Sequence, residues 1–122
     1  YASIIALLNY RLFYRLQLKR YKITTAINWF ENQPLDKGWN YGMNKYYPNA
    51  NIHAYIGFLI YCSNFIGPYP TSVEQKAQVL PKIFFIPGEI YFNTFKLFNS
   101  NLNAELAPAF RFSYINNIKT NI

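Results

Sequence analysis

Residues 23–30 read Ile-Thr-Thr-Ala-Ile-Asn-Trp-Phe, and residues 31–38 read Glu-Asn-Gln-Pro-Leu-Asp-Lys-Gly. The first eight are β-branched and aromatic, without Gly or Pro, and predict a strand. The next eight switch abruptly to polar residues and predict a loop at the strand's carboxyl end. Pro34 disfavours continuing a ladder, and Gly38 allows an unusual backbone turn. Trp39–Tyr47 then predict a short helix stopped by Pro48. The same grammar recurs downstream. Ile52–Ile60 predict a second strand, with Gly57 allowing close backbone approach, and a loop with Gly67-Pro68 and Pro70 follows. Ser72 can cap a helix to about Ala77, with Gln75 completing a capping box. Pro81 opens a third strand at Lys82–Ile86; Pro87-Gly88 lead into a helix at Glu89–Asn99; Ala104–Ala107 are a fourth strand. This alternation predicts α/β layering on a parallel sheet, with Ile27, Phe30, Ile56, Phe58, Ile83 and Phe85 buried. A break between two halves is expected between Ser63 and Pro81, where Gly, Pro and polar residues concentrate.

Upstream, residues 3–21 predict a helix. Ile4/Ile5, Leu8, Leu12 and Leu16 form an apolar stripe at helical spacing, and Arg11, Arg15, Lys19 and Lys22 form a basic one. The simpler reading puts the apolar stripe on the core and the basic stripe in solvent. The functional reading is an amphipathic helix that rests on anionic lipid.

Composition narrows the classes. The chain has 122 residues, 52% hydrophobic and 20% aromatic, which excludes global disorder. Only 14% of residues are charged, with a formal net charge of +7. Arg11, Arg15 and Lys19 interrupt the best candidate for an apolar span. The single Cys62 excludes an internal disulfide and a CxxC metal site. Asn, Ile, Lys, Tyr and Phe all have AT-rich codons, so base composition accounts for part of the aromatic content and the charge. The chain starts at Tyr1 directly in a helical pattern and is read as a segment of a longer protein.

In open α/β sheets, ligands bind beyond the carboxyl ends of strands. Glu31-Asn32-Gln33 with Asp36, Lys37 and Trp39 holds two of the chain's five acids at one such end. A carboxylate there can act as a general base on a hydroxyl, amides can bind sugar hydroxyls, and the indole can stack on a sugar face. The plainer alternative is a loop whose Asp36 and Asn32 satisfy backbone groups. Ile86-Pro87-Gly88-Glu89 is a strand-to-helix turn of the kind that receives phosphate, although one glycine falls short of a nucleotide-binding pattern and Glu89 repels phosphate. Arg111, between Phe110 and Phe112, either packs its stem or presents its fork to a phosphate. His53 is alone, which disfavours zinc, and no GxSxG is present. Basic charge with aromatics raises RNA binding, but RNP1 and GXXG patterns are missing, so nucleic acid is disfavoured.

Trp29-Phe-Glu-Asn-Gln-Pro-Leu-Asp-Lys-Gly-Trp-Asn-Tyr-Gly42, then Tyr47-Pro48, Tyr55-Ile-Gly-Phe58, Pro81-Lys-Ile-Phe-Phe-Ile-Pro-Gly88 and Ala107-Pro-Ala-Phe-Arg-Phe112, form a more specific pattern than any spacing. Over roughly residues 24–112 it resembles bacterial surface-polysaccharide biosynthesis proteins, which are similar to two-domain glycosyltransferases of the GT-B type. The resemblance implies Rossmann-like layers in a partial two-domain architecture. Residues 1–70 would end an acceptor-side domain, 71–80 would link, and 81–122 would begin a truncated donor-side domain. It implies transfer of a sugar from a nucleotide-sugar donor to a glycan or lipid-linked acceptor, with no further cofactor and no metal. Glu31 would be the base. Asn32, Gln33, Asp36, Lys37, Trp39 and Asn40 would bind the acceptor, and Gly88 and Arg111 would approach the donor phosphates. The expected location is cytoplasmic, peripheral on the inner face of the cell membrane, with an anionic surface as the partner of the basic stripe Arg11, Arg15, Lys19 and Lys22. Most of the second domain is missing, so this chain alone is not expected to be competent. The competing reading is a small non-catalytic, membrane-associated α/β interaction module.

Overall fold

Each strand pairs with the one made just before it. The computed structural model describes residues 1–57 and 69–110. Its elements run α1 (Ala2–Leu18), β1 (Thr25–Trp29), α2 (Pro34–Tyr46), β2 (Asn51–Tyr55), α3 (Ser72–Lys76), β3 (Ile83–Pro87), α4 (Glu89–Phe98) and β4 (Ala104–Ala107). The strands form one parallel sheet in the order β1-β2-β3-β4. This is the parallel α/β layering that the alternation predicts, and it is consistent with the Rossmann-like layers that the resemblance implies. Positions 58–60 of the expected second strand, Cys62, loop residues 63–68 and Arg111 lie outside the described residues.

A strand order that steps in one direction with right-handed crossovers puts the crossover helices on one face. Burial follows that rule. The register aligns Ala26 with Ile52, Ala54 with Phe84, and Ile86 with Leu106. On this face Ile52, Ala54, Phe84 and Ile86 are buried. Met43 of α2 packs in one cluster with Ile52, and Phe95 of α4 in another with Phe84 and Ile86. Burying each large side chain contributes about 1.5–3 kcal/mol.

The opposite face carries Ile27, Trp29, His53, Tyr55, Ile83 and Phe85. Ile27, expected inside, is 64% exposed. Alternation turns it away from the helices that cover its neighbours Ala26 and Asn28. Ile83 and Phe85 are half-buried for the same reason, and Phe84 and Ile86 take the core positions. Phe30 and Ile56 are buried as expected.

The expected break between residues 63 and 81 is replaced by continuity. β2 pairs with β3 through His53–Ile83, Ala54–Phe84 and Tyr55–Phe85. Phe30, Ala54 and Ile56 share one cluster with Leu80, Phe84, Ile86, Phe95 and Leu102. The Tyr55 hydroxyl donates to the Pro108 carbonyl (2.9 Å) and accepts from the Phe110 N–H (3.2 Å), tying β2 to the chain beyond β4. Within 71–80, α3 is capped by Thr71, one residue before the expected Ser72. Its hydroxyl accepts from the Glu74 N–H (3.3 Å), and the Glu74 carboxylate accepts from the Thr71 N–H (2.7 Å).

α1 packs on α2 with only part of the expected stripe: Ile5 and Leu16 are half-buried, Leu16 against the α1–α2 core. Asn9, Tyr10 and Phe13 turn inward, while Ile4, Leu8 and Leu12 point to solvent. Gly38 and Gly42, one helical turn apart, decide this. A Cβ on Gly38 would fall 1.9 Å from the Ala6 carbonyl oxygen, and one on Gly42 would fall 2.8 Å from the Phe13 ring. Gly38 therefore lies inside a helix and serves close approach, where the sequence suggested a turn. Tyr10 and Tyr46 join their hydroxyls at 2.6 Å, and Lys45 donates to the Tyr10 hydroxyl at 3.1 Å, stitching the two helices together.

Candidate functional site

The polar run after β1 is shorter than its composition suggests, because α2 begins at Pro34. Proline is well suited to the first helical position, where no N–H is needed. Asp36 supplies the cap. Its Oδ2 accepts from the backbone N–H groups of Glu31 and Gln33, both at 3.0 Å. The side chain is 2% exposed. Burial pushes its carboxyl above the ordinary carboxylate range, against the pull of those two N–H groups. Asp36 is thus taken up by the backbone of its own loop. Asn40 is equally structural: it is fully buried, and its amide donates to the Asp36 carbonyl (2.9 Å). Trp39 makes an edge-to-face contact with Phe13 at 5.3 Å between ring centroids and packs, half-buried, against the α1–α2 core.

Glu31 is presented differently. It stands just past the end of β1, where Phe30 closes the ladder by donating its N–H to the Tyr55 carbonyl (3.0 Å). Oε1 accepts from the Trp29 indole N–H (3.1 Å), and Oε2 accepts from the Gln33 amide (2.7 Å). Both donors orient the carboxylate. Asn32 takes a left-handed backbone (φ 58°), which turns the chain from strand to cap. Its side-chain oxygen accepts from Lys37. Lys37 also pairs with Glu74 of α3 at 2.8 Å and lies over the Phe30 ring. Burial acts to raise the Glu74 carboxyl, but Lys37 and the Thr71 groups outweigh it and hold it below the ordinary range.

Trp29 is the residue that sequence reasoning left inside a strand. It is 51% exposed and tilts against Tyr55 at 5.6 Å between centroids. Gly57 makes its seat: a Cβ there would fall 1.7 Å from the indole. The signal was the pairing of a tryptophan at a strand's end with a glycine at the end of the next. Gly88 also lies on this edge, past β3, with φ 89° and an exposed surface at the start of α4. At a strand spacing of about 4.8 Å, β1 and β3 end about 10 Å apart. Glu89 in the first turn of α4 places a negative charge there.

The structure thus gathers Glu31, Asn32, Gln33 and Lys37 with Trp29 at the sheet's carboxyl edge. It assigns Asp36, Trp39 and Asn40 to the frame beneath. Among the described residues, no group of three His, Cys, Asp or Glu side chains could hold a metal ion. No protein-family model matches the chain, and neither does any curated protein or solved structure.

Proposed function

We propose that this chain is part of a nucleotide-sugar glycosyltransferase of surface-polysaccharide synthesis, acting on a glycan or lipid-linked hydroxyl at the cytoplasmic face of the membrane. The observation that supports this reading is the Trp29–Glu31 pair. A carboxylate oriented by an indole N–H stands beside the exposed indole, at the edge where open α/β sheets take ligands. Glu31 accepts the acceptor's proton as general base. Trp29 offers the stacking face that the sequence assigned to Trp39. Asn32, Gln33 and Lys37 supply hydrogen bonds to sugar hydroxyls. The exposed backbone at Gly88 is open to donor phosphates, with Arg111 the second candidate for them.

The test is nucleotide release by the intact protein, supplied with a panel of nucleotide sugars and acceptors. General-base catalysis contributes about 10²–10⁴-fold, so Glu31→Gln should slow turnover by about that factor while donor binding changes little. Near-normal turnover in that variant would remove Glu31 from the chemistry. A second reading, a non-catalytic α/β interaction module, is favoured by the continuous sheet and the core shared across residues 63–81. No nucleotide release and no donor binding by the intact protein would decide for it.

A further inference from the structure

Helix α1 turns its most aliphatic side away from the rest of the fold. Ile4, Leu7, Leu8, Leu12 and Leu18 are all exposed. At 3.6 residues per turn they share one sector, about 140° wide, with Arg11, Arg15 and Lys19. Leu7, Leu8, Arg11, Leu12 and Arg15 line an open groove of about 400 Å³ on this face. The charge is one-sided: residues 1–30 contain Arg11, Arg15, Lys19, Arg20 and Lys22 and no Asp or Glu. Tyr1, Tyr14 and Tyr21, all exposed, mark both ends and one flank of the helix.

We infer that α1 is a membrane-surface helix that lays this Leu–Arg face on a bilayer containing anionic lipid. The chemistry selects that occupant. Arginine stems extend the aliphatic surface while the guanidinium forks reach phosphate oxygens. Tyrosine rings suit the headgroup level, with one end apolar and one wet. A second copy of this chain would bring two basic faces together at +7 each. The one-sided charge complements lipid phosphates, and no Asp or Glu within residues 1–30 offers a pairing site to a basic partner. No described helix is long and apolar enough to cross a membrane, so α1 lies flat. This inference stands on α1 alone and is independent of the chemistry proposed for Glu31.

Vesicle sedimentation of the full chain tests it, using phosphatidylcholine with and without phosphatidylglycerol. The protein should bind the anionic vesicles and leave the neutral ones. Each cation near such a surface is worth ~1 kcal/mol, so Arg11→Gln/Arg15→Gln should weaken binding roughly 30-fold. Arg11→Lys/Arg15→Lys should restore it to within about threefold. Leu8→Gln/Leu12→Gln keeps the charge and should still lose at least about tenfold. All these side chains point to solvent, so thermal melting should be unchanged. Equal binding to neutral vesicles would overturn the inference. So would full binding by the leucine variant, since attraction by charge alone describes any polyanion, RNA included.

Discussion

Replacing Gly38 by alanine tests the helix crossing on which α1 depends. On propensity alone the change should help, because Gly→Ala in a helix interior gains about 0.5–1 kcal/mol. The structure predicts the opposite sign. The new methyl would meet the Ala6 carbonyl oxygen at 1.9 Å, its carbon at 2.4 Å and the Ala6 Cα at 2.6 Å. All three are backbone atoms, so no side chain can swing aside. Restoring a C···O contact of about 3.3 Å requires the helices to part by about 1.4 Å. Overpacking of this kind costs about 1–3 kcal/mol. Parting also loosens the Phe13–Trp39 contact and the bond from the Asn9 amide to the Leu35 carbonyl (3.2 Å). The net expectation is a loss of about 1–2 kcal/mol, a fall in Tm of about 3–10 °C. Urea titration should show a lower midpoint at unchanged slope. Trp39 emission, read in a Trp29→Phe background, should report the altered packing. Gly42→Ala should cost less, because its nearest obstacle is the Phe13 ring, at 2.8 Å. A Gly38→Ala protein as stable as the parent, or more so, would refute the crossing.

Asp36→Ala should destabilise by about 2–3 kcal/mol in urea titration, since it leaves the Glu31 and Gln33 N–H groups without their acceptor. Asn28→Val should stabilise by about 1–2 kcal/mol in the same titration, because both polar atoms of the Asn28 amide are buried without a protein partner; a loss instead would reveal a bound water. The two shifted carboxyls give opposite pH slopes. Asp36, raised by burial, keeps in the folded chain a proton that the unfolded chain gives up, so its contribution falls as pH climbs from the ordinary carboxylate value to the raised one. Glu74 is held low, so its contribution is present above the ordinary carboxylate value and is lost as pH falls through the lowered one. Asp36→Asn and Glu74→Gln should each remove one slope from the acid limb of a stability–pH profile.

The strands were legible because their signal is local. β-branched and aromatic runs at 23–30 and 82–86, punctuated by Pro and Gly, needed no tertiary information. The faces were not legible. Ile27 and Ala26 look alike to a strand predictor, and only the one-sided placement of α2 and α4 turns Ile27 outward. α1 carries apolar residues on two faces, and the choice between them is made by Gly38 and Gly42, twenty or more residues away. The continuity across 63–81 was hidden because turn residues mark loops equally well within a sheet and between domains. At the site, Glu31 was visible as an acid beyond a strand. Asp36, Trp39 and Asn40 looked identical in character until Pro34 proved to be a helix start, which drew all three into the frame.

The tie from Tyr55 to Pro108 and Phe110 has a consequence in time. A sheet whose strands pair in chain order can grow as the ribosome delivers it, since every new strand finds its neighbour already in place. The Tyr55 hydroxyl has a long wait. Its partners lie 53 and 55 residues downstream, which at about 5–20 residues per second is roughly 3–11 s of synthesis. Through that interval the Tyr55 hydroxyl, beside Trp29, lacks these two partners although the backbone of β2 is already paired. The carboxyl edge is therefore the last part of the described sheet to be completed, and the chain after β4 is what completes it.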